Sequence, residues 1–95
     1  MTFNDAPSAP GRAAWLRQLA DLAELHGWRV HDFGDQYEPD LLLLRRPRLI
    51  WVFAEPLRGR LSQARLDAFV ELRACRQEAG VWRPDDLEKI TRMLE

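Results

Sequence analysis

Two carboxylates and a cluster of arginines are the residues of this chain that could act on a phosphodiester. Asp40 heads the apolar run Leu41-Leu42-Leu43-Leu44, and Glu55 closes a second run, Leu49 to Ala54. Carboxylates at the ends of adjacent strands can hold a hard cation such as Mg²⁺ through oxygen, and a cation held there can activate water. Glu38, just before Pro39, is a candidate third ligand, and His31, Asp32 and Asp35 could approach Asp40 from a neighbouring strand. Arg45, Arg46, Arg48, Arg58, Arg60 and Arg65 place six cations in residues 41–66 against Glu55 alone. Such a patch suits phosphate oxygens, which reward charge without reading base sequence. The plainer alternative makes Arg45 to Arg48 a solvated turn and Arg58 and Arg60 the caps of a loop.

These residues need elements to position them. From Ala13 to His26 apolar residues recur every three or four positions, which predicts an amphipathic helix stopped by Gly27. Trp28, Val30 and Phe33 suggest a short strand, followed by a turn at Gly34-Asp35-Gln36. The two apolar runs around Arg45-Arg46-Pro47-Arg48 are too short for helices and read as a β-hairpin covered by helices. A turn centred on Arg46 and Pro47 sets Asp40 roughly opposite Ala54 or Glu55. Ser62 caps a second helix whose expected apolar stripe is Leu66, Phe69, Val70, Leu72 and Cys75, up to Gly80. Val81-Trp82-Arg83 fits a further strand. Pro84, Asp85 and Asp86 open a last helix with Leu87, Ile90, Met93 and Leu94 on its apolar face. The expected order is αβββαβα, a mixed sheet flanked by helices. Residues 1–10 read as a flexible N-terminal leader and 11–95 as one domain.

Composition narrows the function classes. Ninety-five residues, 46% hydrophobic, suffice for one small core. A net charge of -1 means that affinity for a polyanion must come from local clustering. The single cysteine, Cys75, excludes an internal disulfide and any multi-cysteine zinc site, and its place in a helical pattern predicts a buried thiol. His26 and His31 have no second metal ligand at a zinc-like spacing. Trp15, Trp28, Trp51 and Trp82 fit core positions better than base-stacking platforms. Without a long apolar window or a signal-peptide pattern, a cytoplasmic protein is expected.

With these segments in order, the chain resembles the VRR-NUC branch of the PD-(D/E)xK nuclease superfamily, relatives of Holliday-junction resolvases found in phages and bacteria. Four segments carry the resemblance. They are Leu25-His26-Gly27-Trp28-Arg29-Val30-His31, Pro39-Asp40-Leu41-Leu42-Leu43-Leu44, Gly59-Arg60-Leu61-Ser62 and Val81-Trp82-Arg83-Pro84-Asp85-Asp86-Leu87. The resemblance implies a restriction-endonuclease-like α/β core and Mg²⁺-dependent phosphodiester hydrolysis by an Asp, a Glu and a Lys two residues further on. Asp40 matches that aspartate. An ungapped count back from Gly59 places Phe53 where the Glu belongs and Glu55 where the Lys belongs. Arg12 falls at an auxiliary Glu position and Arg65 at a Gln position. A phenyl ring cannot ligate magnesium, and a carboxylate in place of an ammonium repels phosphate.

The expected function is therefore a nuclease-fold DNA-binding protein, with branched DNA as a partner and catalysis lost or strongly impaired. Asp40 and Glu55 are then vestigial, and the six arginines make the nucleic-acid contacts. One alternative is an active Mg²⁺- or Mn²⁺-dependent endonuclease with a rearranged site at Asp40 and Glu55, helped by Glu38 or Arg58. In that reading a two-residue insertion makes Glu55 the acid and puts Leu57 at the lysine position. Another is a protein-interaction or regulatory module on a nuclease fold. Resolvase-like relatives act as homodimers, so the resemblance also implies a homodimer.

Overall fold

A computed structural model describes residues 11–34 and 39–95. The proposed leader, the Asp35-Gln36 part of the turn and Glu38 lie outside the described residues. Helix α1 (Arg12–Leu25) is followed by strands β1 (Arg29–Asp32), β2 (Leu41–Arg45) and β3 (Arg48–Ala54), then helix α2 (Gln63–Ala74), strand β4 (Ala79–Trp82), a 3₁₀ turn (Pro84–Asp86) and helix α3 (Leu87–Leu94). The order αβββαβα is the expected one. The strands form one sheet in the order β1-β2-β3-β4, with β1, β2 and β3 antiparallel and β4 parallel to β3. No described helix is long and apolar enough to cross a membrane.

Helix α1 stops where left-handed backbone takes over, at Gly27 with φ of 85°. Its buried stripe, Trp15, Leu19 and Ala23, meets Leu41, Leu43, Ile50, Val52, Ala54 and Trp82 on one face of the sheet. Ile90 and Leu94 of α3 close the same core. Two indoles fasten it, since Trp15 Nε1 donates to the Trp82 carbonyl at 2.8 Å and Trp28 Nε1 to the Leu94 carbonyl at 2.9 Å.

The opposite sheet face is different. Strand alternation sends Leu42, Leu44, Leu49, Trp51 and Phe53 there, and α2 reaches it through Phe69, whose ring meets Phe53 edge-on at 5.7 Å. Ser62 caps α2 as expected, its Oγ accepting from Arg65 N at 3.2 Å. The expected stripe is not buried, however. No residue of α2 is buried, Leu66 and Val70 are 40% and 56% exposed, and Cys75, which caps the helix, is exposed too. Among the described residues α2 is the one helix on this face, and no further layer packs over it to bury them.

At Gly80 the core leaves no room for a side chain. A Cβ there would lie 2.4 Å from Trp82 Nε1 and 2.9 Å from its Cδ1, and the indole is buried. Gly80→Ala is expected to cost about 2 kcal/mol through overpacking, read as a lower urea midpoint at unchanged slope.

Candidate functional site

Asp40 extends the sheet by one residue before β2 begins, donating its N–H to Val52 O at 2.8 Å and accepting from Phe33 N at 3.0 Å. Because Arg45 pairs with Arg48 across the two-residue turn, Leu41 pairs with Val52. Asp40 thus falls opposite Phe53, one residue from the position expected. Its side chain is fully buried and reaches past Phe53, so that Oδ2 accepts from Ala54 N at 2.7 Å.

Two arginines complete the arrangement. Arg65, one turn into α2, forks onto Asp40 with Nη2 at 2.6 Å from Oδ2 and Nη1 at 3.2 Å from Oδ1. The same guanidinium donates from Nε to Glu55 Oε2 at 3.2 Å and lies 5.5 Å from the centre of the Phe53 ring. Arg12, at the start of α1, donates to Asp40 Oδ1 from the other side. Glu55 is held by its own N–H on Trp82 O at 3.1 Å, and only 5% of it is exposed. The carboxylates therefore do come together, but through Arg65. Burial disfavours the Arg65 cation, yet hydrogen bonds and charge from Asp40, and then from Glu55, outweigh it and raise its pKa above the ordinary arginine value.

This donor set does not fit a divalent cation. Both oxygens of Asp40 already accept hydrogen bonds, and a cation bridging Asp40 and Glu55 would have to displace the Arg65 guanidinium. Phe53, fully buried, fills the wall between them with carbon. Among the described residues there is no group of three His, Cys, Asp or Glu able to hold a metal. Glu38 and Asp35, named above as helpers, lie outside those residues. Asp32 is engaged locally, accepting from Gly34 N at 2.8 Å, and His31 is exposed on β1.

The six arginines do not form one patch. Arg45 and Arg48 share the helix-covered face with Leu43 and Ile50, where their guanidiniums lie 4.6 Å and 5.4 Å from the Trp28 ring centre. Arg45 donates to His26 O and Leu94 O, both at 2.9 Å. Arg48 donates to Met93 O at 2.8 Å and pairs with Glu78 through two bonds of 2.9 and 2.7 Å. The Glu78 bond raises its pKa, with the Glu78 charge adding to it against desolvation. These two are not a simple solvated turn: they close the ends of α1 and α3. Arg46 is exposed at that same hairpin end. Arg58 and Arg60 are exposed in the loop after β3, on either side of Gly59, which lies close to the Glu55 carboxylate. The seven residues of β3 separate the two ends by about 23 Å at strand rise.

Two contributors were missed in the sequence. The resemblance set Arg12 at an auxiliary acid position without giving it a role, and Arg83 read as the end of a strand. Arg83 Nη1 in fact donates to Pro56 O at 3.0 Å and to Gly59 O, shaping the loop that carries Arg58. Compared with known proteins, the chain matches no family model, no curated protein and no solved structure.

Proposed function

We propose that this chain is a DNA-binding protein on a VRR-NUC-like nuclease fold, in which an internal ion cluster has replaced the hydrolytic centre. The observation that carries the reading is Arg65 forked across Asp40 and Glu55 above Phe53, in the place where the resemblance expects a metal and its acids. Arg58 and Arg60 are exposed on a loop that Arg83 holds and whose Gly59 lies close to Glu55. Cations displayed beside a site without catalytic ligands suit the sugar-phosphate backbone, which is bound by charge and geometry. Branched DNA is the preferred partner in this reading, because the resemblance points to junction-processing relatives.

Fluorescence anisotropy with a labelled four-way junction and a linear duplex tests it. Binding is expected to weaken steeply with salt, and the Arg58→Ala/Arg60→Ala double variant to bind more weakly with a log–log salt slope shallower by about 2. No cleavage is expected with Mg²⁺ or Mn²⁺. Absence of salt-dependent binding would overturn the DNA reading, and metal-dependent cleavage would revive the rearranged endonuclease.

A further inference from the structure

We propose that the hairpin end of the sheet carries an anion site for a phosphate monoester, held by Arg29 and Arg46. The site stands apart from the Arg58 and Arg60 loop and does not depend on the DNA reading.

Two arginines that the fold does not use carry the inference. Arg29 opens β1 and Arg46 lies in the turn between β2 and β3; both are exposed, and neither has a hydrogen bond or ion pair among the described residues. Their neighbours Arg45 and Arg48 are occupied. Arg29 and Arg46 border a hollow of about 330 Å³, completed by Gly27, Leu44 and Arg45. Among the described residues no carboxylate lines it, so three cations surround one concavity in a chain whose net charge is -1.

The local fold explains why the hollow is there and why it is positive. The β1–β2 register pairs Arg29 with Leu44, which sets the arginine beside the leucine on one sheet face. Gly27, where α1 stops, has no side chain to fill the space; a Cβ there would meet nothing nearer than Arg45 Cδ at 4.0 Å. The C-terminal ends of α1 and α3 meet Arg45 at this place, and bare carbonyls of helix ends repel an anion. Arg45 removes that obstacle. Its Nη1 donates to His26 O and Leu94 O at 2.9 Å, and its Nη2 to Glu95 O at 3.2 Å. The helix ends are thus neutralised by Arg45, and the two free guanidiniums are left to bind.

Charge and size select the ligand. Forked guanidinium donors match phosphate oxygens, and a monoester carries about two negative charges at neutral pH, one for each free arginine. A volume of about 330 Å³ lies at the lower edge of small-molecule sites. It holds a phosphate with a small ester group, for which half-buried Leu44 offers an apolar wall. A sugar phosphate has that chemistry, and so does the phosphorylated end of a nucleic-acid strand.

Titration of ribose 5-phosphate into ¹⁵N-labelled protein, followed by amide shifts in about 0.15 M NaCl to screen loose surface charge, tests the inference. The amides of Gly27, Arg29, Leu44, Arg45 and Arg46 are expected to move on one saturating curve, more tightly than with inorganic phosphate, and ribose should move none of them. Arg29→Ala and Arg46→Ala should each weaken binding about tenfold, the loss of one charge-assisted hydrogen bond. Both positions are exposed, so amides elsewhere should keep their wild-type shifts. The absence of a saturable shift, shifts as strong at Arg58 and Arg60, or unchanged affinity in both variants overturns the proposal. Once the site is upheld, a short DNA strand with and without a terminal phosphate names the source: shifts at the same amides with the phosphorylated strand alone assign it to strand ends, and equal effects assign it to free sugar phosphates. The anisotropy experiment is judged separately, since its variants lie at the other end of the sheet.

Discussion

Replacing Asp40 by alanine is expected to lower the melting temperature by about 15 °C, corresponding to about 3 kcal/mol in a domain of this size. The carboxylate is fully buried and accepts from Arg65, Arg12 and the Ala54 N–H. Its removal deprives the Arg65 cation, whose side chain is 14% exposed, of its bidentate carboxylate and leaves Glu55 as its carboxylate partner among the described residues. It also orphans a backbone donor inside the sheet, which alone costs about 1 kcal/mol or more. Arg12 is 33% exposed and recovers part of its loss by turning to water, which holds the total at the lower end for a broken buried pair. Glu55→Ala is expected to cost less, since Asp40 keeps both arginines. Thermal melts followed by circular dichroism check the order. A shift below about 5 °C for Asp40→Ala would mean that the cluster stabilises no more than a surface pair does.

Trp15→Ala is expected to be costlier still, about 4 kcal/mol. Trp15 is fully buried between α1 and the sheet, and its indole N–H occupies the Trp82 carbonyl. The truncation opens a cavity and leaves that carbonyl with the Glu55 N–H as its remaining donor. Arg12 lies one turn earlier on the same helix, so loosening this anchor also loosens the reach of Arg12 to Asp40. Trp51→Ala is the comparison: Trp51 is half-buried, stacked on Phe33 at 6.2 Å, and should lose about half as much. Equal urea midpoints for the two variants would contradict the assignment of the core to the α1 side of the sheet.

The sequence was legible wherever local rules decide. The α1 stripe, the stop at Gly27, the hairpin about Arg46-Pro47, the Ser62 cap and the α3 face all follow from periodicity and turn chemistry, and they recur in the structure. What escaped depends on which side of the sheet a residue faces. Arg45 and Arg48 count as surface charge along the chain, but strand alternation places them with Leu43 and Ile50, over Trp28 and against helix carbonyls. The α2 stripe was overestimated because apolar spacing alone does not reveal whether a second layer exists. At the site, the sequence identified the carboxylates and expected Arg65 to meet phosphate. That Arg12 and Arg65 converge on Asp40 is a long-range fact, spanning 28 and 25 residues, which no local rule predicts; the resemblance set both at site positions but not in this role.

The clasp of Arg45 and Arg48 on Trp28 also governs how the chain can fold. Its acceptors are the last carbonyls of α3, 49 and 45 residues away, and the Trp28 bond to Leu94 spans 66. Contacts of such separation raise the contact order and slow the search. A nascent chain that has released Glu78 but not α3 can pair Arg45 with His26 O and Arg48 with Glu78, but lacks the α3 carbonyls that both arginines and the indole also use. Completing the clasp during synthesis therefore waits for α3.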